Sequence, residues 1–139
     1  MIAALGVLAL LASTADVRAL ASDGDVVWAG TTGGLVRVDG EGARVFTPRE
    51  GLPDGTVRAL LVQGDALWVG TDRGVVRCHS VPAFACDAPL ARGHRVEALA
   101  LHEGALLVGT THGLLVQQAD GALVQDPRGG RAASGVSFE

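Results

Sequence analysis

Val17-Arg18-Ala19-Leu20 returns as Val57-Arg58-Ala59-Leu60 and again as Val96-Glu97-Ala98-Leu99. Eleven residues after each Val a second block opens: Trp28-Ala29-Gly30-Thr31-Thr32-Gly33-Gly34-Leu35, then Trp68-Val69-Gly70-Thr71-Asp72-Arg73-Gly74-Val75, then Leu107-Val108-Gly109-Thr110-Thr111-His112-Gly113-Leu114. The spacing is 40 residues and then 39. Three copies of G-T-x-x-G at a constant offset make the chain a repeat protein, and that settles the architecture before any other reading.

In the first unit, short Val- and Leu-rich runs at 17–21, 26–30, 35–38 and 43–47 are separated by turns at Asp23-Gly24-Asp25, Thr32-Gly33 and 39–42. β-branched runs punctuated by Gly, Asp and Pro predict strands, and helical periodicity has no support inside the units. Gly34, Gly74 and Gly113 are expected to supply a positive φ or a close backbone approach. A four-stranded sheet that is apolar on both faces must be covered on both, and such units of about 40 residues stacked around an axis make a β-propeller. The predicted fold is therefore all-β: three four-stranded antiparallel blades of an incomplete propeller, at residues 16–55, 56–94 and 95–135.

Typical propellers close with about 4–8 blades. Val136 lies 40 residues after Val96, so residues 136–139 stand where a further blade would begin. Two readings follow, a fragment of a longer propeller or a protomer that needs more copies. A free-standing open stack is the alternative, and its uncovered faces and edges would favour aggregation. Further propeller blades or self-association are thus the expected partners.

The net charge of −4, without a basic stripe, argues against a nucleic-acid partner. The first 15 residues, an uncharged apolar stretch ending in Ser13-Thr14-Ala15, have the outline of a secretory signal peptide, although no Arg or Lys precedes the apolar part. Export would place the protein in the periplasm or outside the cell. The alternatives are a buried strand or a start within a longer gene.

Ala66-Leu67-Trp68-Val69-Gly70-Thr71-Asp72-Arg73-Gly74-Val75, together with the turn Glu50-Gly51-Leu52-Pro53-Asp54-Gly55-Thr56-Val57, resembles the two-component-regulator propeller repeat family over residues 16–135. The third unit departs from it, with Leu107 in place of Trp and no G-L-P turn. The resemblance implies an extracytoplasmic sensory propeller of the kind that often precedes a transmembrane segment and a histidine kinase. It implies no particular ligand.

Cys78 and Cys86 align by repeat with Val38 and Phe46, on adjacent strands across the third hairpin turn. A cross-strand disulfide is reasonable there in an exported protein, and two buried thiols are the alternative. His79, His94, His102 and His112 are scattered and no metal-ligand spacing is present, so no metal or other cofactor is expected. Trp28 and Trp68 occupy equivalent slots and read as packing between blades, with sugar stacking as the alternative.

The turn between the second and third strands keeps its frame while its tips vary, which nominates Asp72, Arg73, Thr111 and His112 as ligand contacts. Arg73 suits a carboxylate or phosphate, and Asp72 and His112 suit sugar hydroxyls. Solvated turn residues are the plain alternative. No nucleophile–base pair, Walker or dinucleotide motif is present. The reading is a non-catalytic ligand-sensing or binding module for a small molecule or saccharide. A protein-interaction scaffold is the alternative, and a propeller lyase or dehydrogenase is the weaker one.

Overall fold

Runs of Val, Leu and Ala between Gly- and Asp-containing turns form short antiparallel strands, because β-branched side chains suit a pleated surface and the turn residues reverse the chain. The computed structural model describes residues 16–126. The leader expected at residues 1–15 and the further blade expected at 136–139 both lie outside the described residues.

The first sheet comprises β1 (Val17–Asp23), β2 (Val26–Thr31), β3 (Gly34–Asp39) and β4 (Gly42–Phe46). The second comprises β5 (Val57–Gln63), β6 (Ala66–Thr71), β7 (Gly74–His79) and β8 (Ala85–Cys86). The third comprises β9 (Val96–His102), β10 (Ala105–Thr110), β11 (Gly113–Gln117) and β12 (Leu123–Gln125). A single 3-10 turn (Pro48–Glu50) is the only helical element among the described residues. Each sheet is a simple antiparallel meander in sequence order. The opening strands β1, β5 and β9 lie beside one another. The fold is the incomplete propeller that the repeats predict.

The G-T-x-x-G block works through its Thr. Thr31 Oγ1 accepts the Gly33 N–H at 3.0 Å and donates to the Gly34 carbonyl at 2.9 Å. Thr71 and Thr110 make the same pair of bonds across their own turns. Gly74 that follows has φ 136°, and a Cβ there would stand 2.8 Å from the carbonyl oxygen of Leu90, which bridges Val75 beyond the end of the outer strand. Both properties expected of that glycine are present.

The first Gly of the block has a different task. A methyl on Gly30 would stand 2.6 Å from Val57 Cγ1, and one on Gly70 would stand 2.5 Å from Val96 Cγ1. Each blade thus leaves a notch that the opening Val of the next blade fills. Val57 and Val96 are fully buried as a result. Trp28 joins Leu35, Phe46 and Leu52 to Val57, Leu67, Val69 and Val76 of the second blade. Trp68 does the same toward Val96, Leu106 and Val108 of the third. Both indoles are 4% exposed, and they fill the space between blades.

The alignment of Cys86 with Phe46 is corrected by the register. Phe46 pairs with Leu35, and its counterpart is Leu90, which bridges Val75. Cys86 instead lies directly opposite Cys78, as Ala43 lies opposite Val38. The physical cause is a longer third hairpin, since Leu35 and Phe46 are 11 residues apart and Val75 and Leu90 are 15. Cys78 and Cys86 are joined as a disulfide. The loop they close carries Phe84, whose ring stacks on Phe46 of the first blade at 3.8 Å.

Candidate functional site

One end of the blades collects the turns between second and third strands and the connections from blade to blade. Backbone bonds tie the two together: Thr32 N–H to the Asp16 carbonyl, Asp72 N–H to Thr56 and Thr111 N–H to Arg95. The bulge after the opening Val recurs in every blade and carries Arg18, Arg58 and Glu97 at this end. Side chains from three sources therefore share one surface.

Asp72, Arg73, Thr111 and His112 all lie on that surface, but their environments differ. The Asp72 carboxylate pairs with Arg58 of its own blade and lies 3.8 Å from Arg95 at the start of the next. Arg95 in turn holds Glu97 at 2.9 Å. Asp72 is thus the centre of an ion-pair chain across the second and third blades, which lowers its availability to a ligand hydroxyl. Arg73 is different. Its side chain is 76% exposed and its nearest carboxylate, Asp54, stands 3.5 Å away.

His112 is exposed at the tip of the third turn, and its ring lies edge-on to His94 with centroids 5.7 Å apart. His94 comes from the connection between blades, which reaches back to the second turn through the Gly93 N–H bond to the Arg73 carbonyl. Gln125 Nε2 donates to the His112 carbonyl at 3.0 Å and fixes that tip. Thr111 Oγ1 lies 3.4 Å from His112 Nδ1. Arg73, His94 and His112 therefore form a strip of exposed and half-buried donors between the second and third turns.

From the sequence His94 is one of four scattered histidines and the end of an inter-blade turn that ranks behind the repeated turns as a contact surface, and Arg95 is not singled out, because both belong to a connection with no repeated frame. The only signal available was their place just before the third opening Val. Among the described residues no group of three or more His, Cys, Asp or Glu is arranged to hold a metal ion. No helix among them is long and apolar enough to cross a membrane.

Two carboxyl groups outside this strip are held below the usual range. Glu50 accepts the Thr47 backbone N–H and then the Thr47 hydroxyl in a capping box that closes the turn between the first and second blades. Asp39 accepts the Glu41 N–H and pairs with Arg37.

No family model and no curated protein matches the chain. Among solved structures, the extracellular domain of BT4673 from B. thetaiotaomicron, described as a one-component system, is 26% identical over 79% of this chain with a TM-score of 0.68. A second structure of that domain, described as part of a hybrid two-component system, is 26% identical over 79% with a TM-score of 0.67. The β-propeller domain of Cps50 (Swd1) from Myceliophteria thermophila is 18% identical over 88% with a TM-score of 0.61, and shares the fold. The chain spans 16% of the length of each BT4673 domain and 44% of the Swd1 domain. The fold is that of a β-propeller, and the two neighbours at 26% identity are extracellular parts of signalling systems.

Proposed function

We propose that the chain is a non-catalytic sensing module of an extracytoplasmic propeller, and that it binds an acidic saccharide across the strip formed by Arg73, His94 and His112. The observation that carries the sensing role is the 26% identity, at TM-score 0.68, to the extracellular domain of a signalling system. The chemistry follows from the residues. An exposed guanidinium offers a planar fork of donors that matches a carboxylate or phosphate. The two imidazoles supply hydrogen bonds to hydroxyls at neutral pH. Asp72 organises the surface through its arginines and is left out of the contact.

The test is calorimetric titration with oligogalacturonate, using neutral xylo-oligosaccharide of equal length as the control. The expected result is binding of the acidic sugar alone, weakened about tenfold or more by Arg73→Ser. Equal affinity for both sugars, or an Arg73→Ser variant that binds as well as the parent, would overturn the assignment.

A further inference from the structure

Two matching blades treat the N–H of their tryptophan differently. Trp68 Nε1 donates to Gln63 Oε1 at 2.8 Å. Gln63 stands at the end of β5, two residues beyond Leu61, which pairs with Trp68. In the first blade Asp23 holds that position, two residues beyond Ala21, which pairs with Trp28. The Asp23 side chain is one methylene shorter, and the Trp28 N–H has no acceptor among the described residues. Trp28 is only 4% exposed, so this is a donor on a buried side chain, where an unmade hydrogen bond is costly.

Beside that donor lies a cleft between the first and second blades, at the end of the sheets away from the Arg73 strip. Asp23 and Trp28 line it from the first blade, and Val62, Asp65, Ser80 and Phe84 line it from the second. It measures about 270 Å³, counting the part open to solvent, and has room within for about one water-sized group. Both of its walls belong to described blades, so neither end of the described stack takes part.

The donor and acceptor set selects the occupant. A carboxylate or phosphate would meet two carboxylates, Asp23 and Asp65. A metal ion or an ammonium group has no lone pair for the indole N–H. A hydroxyl answers both demands at once, because its oxygen accepts while its hydrogen donates. Val62 and Phe84 offer apolar contact to the carbon that bears it.

We propose that this cleft is a binding subsite for a hydroxyl group of a neutral polyol, whose oxygen accepts the Trp28 N–H and whose hydrogen goes to a carboxylate of the cleft. The subsite is separate from the strip at the other end of the blades, and its charge disfavours the acidic sugar assigned there.

The experiment uses the full 139-residue chain labelled with nitrogen-15. Trp28 and Trp68 are its two tryptophans, so two indole N–H signals are observed, and a Trp68→Phe variant assigns them. The probe is sorbitol, with acetate and methylammonium at equal concentration as controls. Sorbitol is expected to move the Trp28 signal saturably and to leave the Trp68 signal in place, and neither control is expected to move either signal. Asp23→Gln changes an exposed residue and supplies the acceptor that Gln63 gives Trp68. It is expected to raise the sorbitol dissociation constant about tenfold or more, because the indole N–H is then engaged from within. Asp23→Glu has the same reach and is expected to act alike, which keeps the test valid if the Gln variant folds poorly. Equal movement of both indole signals, a saturable response to acetate or methylammonium, or a sorbitol affinity indifferent to both variants would each overturn the proposal. So would the absence of any response to sorbitol, which would leave an ordered water as the occupant of the cleft.

Discussion

Val96 opens the third blade by filling the space that Gly70 leaves in the second: a methyl group on Gly70 would stand 2.5 Å from Val96 Cγ1. Val96 is fully buried and β-branched, so its side chain has little freedom to rotate aside. Ala59 Cβ, 3.3 Å from the same point, closes the other escape. Gly70→Ala is expected to cost about 1–3 kcal/mol, the range for overpacking a fitted core. Gly55→Ala, where nothing lies within 4 Å, is expected to change stability by less than about 0.5 kcal/mol. Urea unfolding midpoints at constant m compare the two, and equal midpoints would remove the notch from the account of blade packing.

Asp72 links two blades through Arg58 and Arg95, and Arg58 is the better covered partner at 17% exposure. Asp72→Asn keeps the shape of the side chain and leaves that guanidinium without its carboxylate. The expected loss is about 0.5–1 kcal/mol at low salt, because the site is only partly shielded from solvent. The difference should shrink toward zero in about 1 M salt, where charges are screened within about 3 Å. Arg18→Ala, which removes the exposed pair with Asp16, is the control and should change nothing measurable. A salt-independent loss in Asp72→Asn would point to hydrogen bonding and away from the ion pairs.

The blades were legible in the sequence because their determinants are local. Thr31, Thr71 and Thr110 bond only to their own turns, so the motif and the geometry coincide. The partner of Cys78 was assigned to the correct residue by the wrong register. Four extra residues in the third hairpin of the second blade are offset by a shorter link to the next one. Phe46 precedes Val57 by 11 residues, but Leu90 precedes Val96 by six, and the period stays near 40. Exposed tips such as Arg73 and His112 could be read from the turn frame. The engagement of Asp72 could not, since Arg95 comes from the next blade and Arg58 from a bulge. His94 beside His112 was invisible for the same reason: only the stacking of blades brings a connection against a turn.

The capping box at Thr47 gives the chain a pH-sensitive contact. Glu50 accepts the Thr47 N–H at 2.6 Å, and its carboxyl is held below the ordinary value by that bond and the Thr47 hydroxyl. A group whose folded pKa is depressed adds stability that is fully present above its unfolded value and is lost as pH falls through the folded one. The advantage of wild type over Glu50→Gln is therefore expected at neutral pH and should fade as pH drops below about 4.3. Thermal melts of both proteins across the acid range check this. A gap that stays constant with pH would show that the carboxylate charge is not what the cap uses.

The disulfide controls more than its own hairpin. Cys78 and Cys86 are eight residues apart, so cross-linking them is expected to add about 2.5 kcal/mol by restricting the unfolded chain. The loop they close also carries Phe84, which stacks on Phe46 at 3.8 Å and lies 6.3 Å from the Trp28 ring. Replacing both cysteines with serine should therefore lower the urea midpoint and also loosen the cover over Trp28, shifting its fluorescence to longer wavelength. Trp68 packs in the other interface and should not respond. Recording the shift in a Trp68→Phe background isolates Trp28, and Phe84→Ala with the disulfide intact should reproduce the shift without the full loss of stability. If the serine variant is destabilised while Trp28 emission stays unchanged, the disulfide acts on the unfolded chain alone and the Phe84 contact does not depend on it.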